Sequence, residues 1–349
     1  MNRLGCFNLK MKTSKPYALL RSGFPYKKSL GMRRLTNHPT SVGIYNSKIY
    51  ILCRSEGTAT IRILTYDDED LGTIGKYGSD SEEHLLWPNT IKFDKDGNLF
   101  ISDEGKHKII ILSETGKFIK SWGIKGDKEG QFNRPSGICF TSNGNLIVSD
   151  TLNHRIQEYT PDGNFVRQFG ENGTDKGQFN MPWGVATDSK DNIYVSDWKT
   201  NRIQKFSYAN DYIFSIGEKG TNNGFFNQPT YLEVDPHDDL YVSDTFNNRV
   251  QQFNENGMYL DKFTGNSSLS KSGIDYLLSN AYPMRLREMT SLEEQKLLRK
   301  PRGLAFDNDL NLFICDYWSY RVQIYQKQTI PLKESDISPP IRSSSLLVT

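Results

Sequence analysis

One proline recurs at a fixed spacing and constrains the fold of this 349-residue chain more than any other feature. Pro88, Pro135, Pro182 and Pro229 lie 47 residues apart, and Pro301 follows after 72. An Asp follows each of these prolines in the same register, with a Lys or Arg five residues after it. These landmark pairs are Asp103 and Lys108, Asp150 and Arg155, Asp197 and Arg202, Asp244 and Arg249, and Asp316 and Arg321. Three landmarks that keep one register over five units indicate a structural repeat.

The stretch Phe132–Gly170 indicates how each repeat folds. Four short apolar runs are separated by Asn-Gly and Asp-Gly turns and by one longer polar loop, Asp150–His154. Tight turns of this kind between strand-length runs are typical of antiparallel hairpins. The runs are apolar on both faces, so neighbouring copies of the sheet must cover them. A four-stranded unit with a period in the forties predicts an all-β fold, the β-propeller.

A weaker copy of the unit precedes the five clear ones. Pro39 lies 49 residues before Pro88, and the sequence after it repeats the apolar rhythm. Arg54 stands where we place the landmark Asp in this copy, and Ala59 replaces the cation. We therefore predict a six-bladed propeller that spans residues 24–330.

The sixth unit lacks its fourth strand. Three strand-like runs follow Pro301, but no turn and no fourth run come after Gln326. Tyr26–Gly31 reads like Phe118–Gly123, the fourth strand of the second unit. We predict that it completes blade six and pairs edges that would otherwise stay open. Thr329–Leu332 is a second candidate for this position.

Three segments do not follow the repeat. Residues 1–23 show no periodicity and residues 331–349 are rich in Pro and Ser, so we expect both to be disordered. An insert at residues 265–300 separates blades five and six. A capping-box pattern predicts a helix over Ser291–Lys300, and Asp275–Tyr282 is a second helix candidate.

Composition excludes several classes of protein. The formal net charge is only +2, whereas dedicated nucleic-acid binders are strongly basic. No apolar run is long enough to cross a bilayer, and the basic start of the sequence lacks the apolar core of a signal peptide. We therefore expect a cytoplasmic protein without membrane contact.

The four cysteines show no metal-ligand spacing. By our alignment, Cys53 and Cys315 occupy equivalent positions, one before the landmark Asp, in blades one and six. Four other blades have Ser there, so we interpret both as small buried side chains. A disulfide between them is the alternative.

The unit GQFNxPxGI…DGNxxVSDxxNxRIQxF…FxxxFG occurs at Gly130–Gly170 and Gly177–Gly217. It resembles the NHL repeat family, with specific matches in blades three to five and divergent copies in blades two and six. The resemblance implies a six-bladed propeller, most often a docking platform for proteins or single-stranded RNA. Some relatives of that fold are enzymes, including an amidating lyase and calcium-dependent lactonases.

The landmark pairs have a structural explanation. Each Asp and its cation flank the same loop, where a carboxylate can accept backbone N–H groups and pair with the cation. A catalytic group would be needed once, not five times. We therefore interpret all ten residues as part of the scaffold.

Histidines are weak candidates for a metal site. Asn201 and Asn248 occupy in other blades the position that two of the histidines take, and positions around a ring lie too far apart to share one ion. We predict no metal and no cofactor. The four histidines that should gather on one face are His38, His84, His107 and His154.

Catalysis has little support in the sequence. GxSxG motifs and Gly-rich phosphate loops are absent. Glu233 is the lone carboxylate that breaks the repeat at the axis. A metal-dependent lyase or lactonase-like hydrolase, with its site at the channel mouth, is the alternative function.

Aromatic and basic residues on the loop face do break the repeat symmetry. Exposed aromatics are enriched at binding hot spots, and neighbouring cations could steer an acidic protein segment or the phosphates of a single strand. The other interpretation is that the rings pack between blades. We predict a non-catalytic scaffold, acting as a monomer, that binds a protein partner, with single-stranded RNA as the alternative. The candidate binding residues are Arg134, Trp183, Trp198, Lys199, Tyr231, Phe246, Arg302, Tyr317 and Trp318.

Overall fold

A ring of six antiparallel sheets, each of four strands, forms the β-propeller that the repeat predicted. The structure is a computed structural model and describes residues 18–279 and 292–333. Two strands come first among the described residues, β1 (Ala18–Gly23) and β2 (Tyr26–Leu30). Each pairs with a strand within residues 321–332, close to the last described residue.

Blades one to five each use four consecutive strands, and each landmark proline opens the first strand of its blade. Blade one contains β3 (Pro39–Tyr45), β4 (Lys48–Ser55), β5 (Thr58–Leu64) and β6 (Asp70–Ile74). Blade two contains β7 (Pro88–Phe93), β8 (Asn98–Asp103), β9 (Lys108–Ser113) and β10 (Phe118–Trp122). Blade three contains β11 (Pro135–Phe140), β12 (Leu146–Asp150), β13 (Arg155–Tyr159) and β14 (Phe165–Phe169). Blade four contains β15 (Pro182–Thr187), β16 (Ile193–Asp197), β17 (Arg202–Phe206) and β18 (Tyr212–Ile216). Blade five contains β19 (Pro229–Val234), β20 (Leu240–Asp244), β21 (Arg249–Phe253) and β22 (Tyr259–Phe263).

The core consists of apolar layers between neighbouring blades. Phe100 of blade two, for example, packs with Ile138 and Val148 of blade three. The first strands line the central channel, and Gly lets them approach closely. A Cβ on Gly137 would lie 2.4 Å from the carbonyl oxygen of Trp183 in the next blade, a distance that no larger residue could accept.

Blade six is closed by a strand from the other end of the polypeptide. Its own strands are β23 (Pro301–Phe306), β24 (Asn311–Asp316) and β25 (Arg321–Gln326), and β2 adds the fourth by pairing Leu30 with Val322. This is the place that the sequence predicted for Tyr26–Gly31. Leu30 is fully buried in the layer between blades six and one.

The competing candidate for that place pairs elsewhere. The last strand, β26 (Gln328–Leu332), forms an antiparallel two-stranded ribbon with β1. The expectation of disorder up to residue 23 is therefore wrong for residues 18–23, because β26 supplies a partner that the repeat pattern did not reveal. The expected disorder of residues 1–17 and of the tail beyond residue 333 lies outside the described residues.

Buried charges hold the ribbon against blade five. The Lys327 ammonium, fully buried just before β26, donates to the Asp235 carboxylate and to Asp239 Oδ2 at 2.7 Å. Arg21 of β1 donates to the same Asp239 through Nε at 2.7 Å and Nη2 at 2.5 Å. We call Arg21, Lys327, Asp235 and Asp239 the ribbon clamp.

The insert contains two helices in its described part, α1 (Lys271–Leu278) and α2 (Leu292–Lys296). Ser270 caps α1 by accepting the Gly273 N–H at 3.0 Å, so this helix begins earlier than the predicted Asp275. The described end of the second helix comes before Lys300. None of the helices in the described ranges is both long and apolar enough to cross a bilayer.

The cysteines within the described ranges are buried, and none of them forms a disulfide. Cys53 and Cys315 share the layer between blades one and six without a disulfide. Burial raises the pKa of the Cys53 thiol to about 12, so it stays protonated and unreactive at neutral pH.

Candidate functional site

The landmark Asp residues organise the loops on one face of the ring. Asp150 accepts the Asn133 N–H at 2.6 Å and the Arg155 Nε–H at 2.8 Å, and Arg155 in turn binds carbonyl oxygens of the preceding loop. Equivalent Asp–Arg bonds occur in blades four, five and six, at 2.7–3.4 Å. Blade two differs, because Lys108 pairs with Glu82 at 2.8 Å rather than with Asp103.

Burial dominates the electrostatics of these carboxylates. Desolvation raises the pKa of Asp150, Asp197, Asp244 and Asp316, and the hydrogen bonds they accept offset this only in part. They are enclosed by their own loops and face no open site. This geometry matches a scaffold role.

Two of the candidate histidines form hydrogen bonds that connect neighbouring blades. His107 Nδ1 accepts the Arg134 N–H of the next blade at 3.1 Å, and His154 Nδ1 accepts the Met181 N–H at the same distance. Asn201 and Asn248 accept the equivalent N–H groups in the following blades through Oδ1, at 2.8 and 2.9 Å. Within residues 18–279 and 292–333, no group of three or more His, Cys, Asp or Glu side chains could hold a metal ion.

The end of the channel where the first strands begin, here called the mouth, is where the blades differ. Each blade places there the residue after its landmark proline and, at or just beyond the end of its second strand, the residue after the landmark Asp position. In blades three and five the two are hydroxyl residues bonded at 2.6 Å. From blade one to blade six the mouth pairs are Thr40 and Arg54, Asn89 and Glu104, Ser136 and Thr151, Trp183 and Trp198, Thr230 and Thr245, and Arg302 and Tyr317.

Arg54 belongs to the mouth, which corrects the alignment of blade one. Pro39 pairs with Cys53, as Pro135 pairs with Asp150, so Cys53 takes the position of the landmark Asp. Arg54 is then equivalent to Glu104. The cause is a shorter turn: Tyr45 and Lys48 pair directly across a two-residue hairpin turn, which removes one residue relative to the other blades.

Blade four contributes an aromatic pair. The Trp183 and Trp198 rings are half-buried, with centroids 5.9 Å apart, and the exposed Lys199 ammonium lies 4.8 Å from the Trp198 ring. The Trp183 indole Nε1 is buried and has no hydrogen-bond partner among the described residues.

Exposed aromatics surround the mouth on its rim. Phe246 and Trp318 are 45 % and 49 % exposed, and the Lys300 ammonium lies between them, 5.0 Å from one ring and 4.5 Å from the other. On another side of the mouth Trp87 is also 49 % exposed, and the Arg134 guanidinium lies 5.3 Å from the centre of its ring. Cations held over aromatic faces form a surface that is both apolar and positive.

Two arginines pair with one carboxylate at the mouth, and a third arginine lies near them. Glu104 is buried and binds Asn89 Nδ2 at 2.6 Å, Arg134 Nη2 at 3.0 Å and, more loosely, Arg54 Nη1 at 3.6 Å. Arg302 lies over the Tyr317 ring at 4.0 Å and also interacts electrostatically with Arg54. Burial lowers the pKa of the Arg302 guanidinium.

Two bonds between opposite blades close the channel below the mouth. The buried Tyr231 hydroxyl of blade five donates to the Asn89 carbonyl oxygen of blade two at 2.6 Å, and burial raises its pKa. Deeper, Lys92 of blade two donates to Glu233 of blade five at 2.5 Å. The mouth is therefore a cup whose floor is formed by these two bridges.

The predicted binding residues divide by location. Tyr231 belongs to the floor rather than to the exposed surface, because its ring fills a channel position that holds Gly in three other blades. Sequence reasoning missed Asn89, Glu104 and the role of Arg54. The signal that could have found them is the position itself, since residues that differ between otherwise identical repeats mark the mouth. The other predicted residues, all at the mouth or its rim, are Arg134, Trp183, Trp198, Lys199, Phe246, Arg302, Tyr317 and Trp318.

Comparison with protein families agrees with this architecture. The family model of the NHL repeat matches residues 132–159, 179–206 and 298–325. This is a six-bladed β-propeller that contains NHL repeats. Among the NHL repeats matched is blade six, which the sequence suggested was divergent. From Leu298 onward it keeps the register of the repeat, and only the preceding insert differs.

Solved structures share the fold of this NHL-repeat protein. Virginiamycin B lyase from Staphylococcus aureus is 14 % identical with a TM-score of 0.55, covering 87 % of this protein and 99 % of its own length. A gluconolactonase from Xanthomonas campestris is 11 % identical with a TM-score of 0.57, covering 88 % and 100 %. A component of a nidogen–laminin complex is 18 % identical with a TM-score of 0.52, covering 65 % and 80 %. A search of curated proteins found no match. At these identities the similarity is one of fold alone.

Proposed function

We propose that this NHL-repeat protein is a non-catalytic binding module that docks a protein partner on the mouth and its aromatic rim. The observation that carries the proposal is the contrast between the mouth and the repeated scaffold of the blades, here called the frame. The frame repeats the same Asp, Arg and Ser contacts from blade to blade, whereas four of the six mouth pairs are unlike one another.

The rim supports a protein partner. Trp318 and Phe246 expose almost half of their surface on either side of Lys300, and exposed aromatics of this kind are enriched at interface hot spots, where truncation commonly costs ~2 kcal/mol or more. The alternative, an enzyme, would need a free carboxylate, whereas Glu104 at the mouth and Glu233 below it are both paired with cations. Glu233 is bound to Lys92, which suits a bridge better than a general acid or base.

Quantitative affinity capture from a native lysate, with and without nuclease, tests the proposal. Trp318→Ala and Phe246→Ala should each lose partners that the wild type retains after nuclease treatment, without a change in the melting curve. Met258→Ala is the matched control, because Met258 is 63 % exposed in a turn on the opposite face. It should retain every partner.

Two results would contradict this function. Partners that remain bound to both aromatic variants would show that the rim is not the docking surface. Partners lost on nuclease treatment, with an affinity that falls steeply with salt, would favour single-stranded RNA instead.

A further inference from the structure

We propose that Arg302 and Arg54 at the centre of the mouth bind a carboxylate group of the partner, either from an acidic residue or from a polypeptide's free carboxyl end. This inference rests on the proposed function and deepens it by naming the chemical group that the mouth takes. Its basis is a pair of guanidinium groups that the protein itself leaves incompletely paired.

Part of the hydrogen-bonding capacity of these arginines is unused, since the contact of Arg54 Nη1 with Glu104 at 3.6 Å is an ion pair too long for a hydrogen bond. Arg302 Nε and Nη1 and Arg54 Nη1 are buried, and none of the three has a hydrogen-bond partner within the described residues. Buried guanidinium N–H groups without an acceptor are destabilising, since the lost contact with water is not replaced. An anion at this position would supply the missing acceptors.

The local charge also favours an anion. Arg54, Arg134 and Arg302 meet a single carboxylate, Glu104, which already accepts from Asn89 and Arg134. Arg54 and Arg302 come from neighbouring blades and repel each other in a half-buried site. A carboxylate beside both would reduce that repulsion.

The geometry fits a carboxylate better than a nucleic-acid strand. Stacking on Tyr317 at 4.0 Å orients the Arg302 guanidinium, whose unpartnered Nε–H and Nη1–H groups can donate to carboxylate oxygens. The Tyr231–Asn89 bridge limits the depth of the cup. The cup can therefore take the tip of a side chain or the end of a polypeptide, but a nucleic-acid strand cannot pass through it. A single strand carries a charge at every nucleotide and needs cations along a track. Here they converge on one point.

Small probes test the site without the partner. The Nε–Hε resonance of Arg302, followed by NMR at constant ionic strength, should shift saturably with N-acetylglutamate amide, N-acetylalanine or both. The first probe carries only a side-chain carboxylate and the second only a terminal one, so their relative affinities identify the source. N-acetylglutamine amide, the neutral analogue, should cause no saturable shift.

Variants assign the effect to the arginines. Arg302→Met should weaken carboxylate binding by about tenfold or more, followed in this variant by the Nε–Hε resonance of Arg54. Arg302→Lys, followed in the same way, should weaken it less, because charge remains while the oriented guanidinium is lost. Arg302→Met should also raise the melting temperature, since it removes a buried unpaired charge. If Arg302→Met does not fold, Arg54→Gln serves the same test by loss of probe binding. Lys190→Met, which removes an exposed cation in a turn on the opposite face, should bind probes like the wild type.

Several outcomes would overturn the inference. They are equal binding of the neutral analogue, saturation by inorganic phosphate but by neither carboxylate, an equal loss in Lys190→Met, or no saturable binding at all. Each contradicts the carboxylate site alone. A different result would contradict the proposed function, namely that partners captured from the lysate remain bound to Trp318→Ala.

Discussion

At the scale of single residues, one loop position shows what the repeat demands of a side chain. His107, His154, Asn201 and Asn248 all have φ between 55° and 58° and all accept an N–H from the next blade. Asn and His tolerate this left-handed conformation better than most residues and carry an acceptor at the right reach. In the two histidines the acceptor is Nδ1, so the proton must lie on Nε2.

Acid should therefore weaken the blades that use His. Burial lowers the pKa of His107 and His154. The bonds thus stabilise the fold above the ordinary pKa of about 6.5 and are lost as the pH falls through the lowered pKa. We expect His107→Asn/His154→Asn to lose fewer degrees of melting temperature than the wild type between about pH 7 and about pH 5, since each bond contributes ~1 kcal/mol.

The control for this prediction is His84→Asn. His84 pairs with Asp80 at the surface and accepts no N–H from a neighbouring blade among the described residues. Its pH profile should follow that of the wild type. Parallel melting profiles for the wild type and the double variant would show that the histidine bonds add nothing.

Residue-level prediction from the sequence succeeded where positions repeat. The landmark residues predicted the ring, the number of blades and the face on which the loops lie, because the same residues make the same local contacts in several blades. The register of blade one failed by one residue, since a two-residue turn at Asn46–Ser47 is not visible from the spacing of Pro39 and Arg54. The mouth cluster failed for another reason: Arg54, Glu104 and Arg302 come from blades one, two and six, and only the closed ring brings them together.

At the scale of elements, ring closure depends on one short strand. β2 supplies Leu30 to the layer between blades six and one, and it fixes the insert through a bond of 2.6 Å between the Ser29 and Ser267 hydroxyls. Without it, β25 would present an unpaired edge, which is prone to pair with other molecules.

Deleting residues 1–31 should therefore lower the melting temperature by several degrees or leave the protein insoluble. The matched control is deletion of residues 1–17, which retains β1 and β2 and should melt like the full-length protein. Differential scanning calorimetry of both proteins checks the prediction. Identical curves for the two deletions would contradict the closure by β2.

At the scale of the whole molecule, acid acts differently on the ring and on the ribbon. Four landmark carboxylates have a raised pKa, those of Asp150, Asp197, Asp244 and Asp316. Their contribution to stability is present at low pH and is lost as the pH rises through that raised value. Asp239 in the ribbon clamp behaves in the opposite way, because its pKa is lowered. Burial alone would raise its pKa, but the Arg21 hydrogen bond and the Lys327 charge outweigh burial and hold the pKa below its usual value.

The ribbon should open in acid before the blades unfold. The stability from Asp239 is present above the ordinary pKa of about 3.9 and is lost as the pH falls through the lowered value. Hydrogen exchange measured below about pH 4 should show β1 and β26 losing protection while β12 and β13 retain it. Asp239→Asn should show the same pattern at neutral pH. Simultaneous loss of protection in ribbon and blades would contradict the prediction.

Closure by β2 also has a consequence for synthesis of the protein. On the ribosome, Leu30 emerges about 290 residues before Val322, the residue it pairs with. At roughly 5–20 residues per second, the nascent polypeptide waits about 15–60 s between the two events. Blades one to five can stack during that interval, but the apolar side of blade one stays uncovered until translation has passed the insert. The growing polypeptide is therefore most exposed to aggregation, and most dependent on chaperones, before its last blade is made.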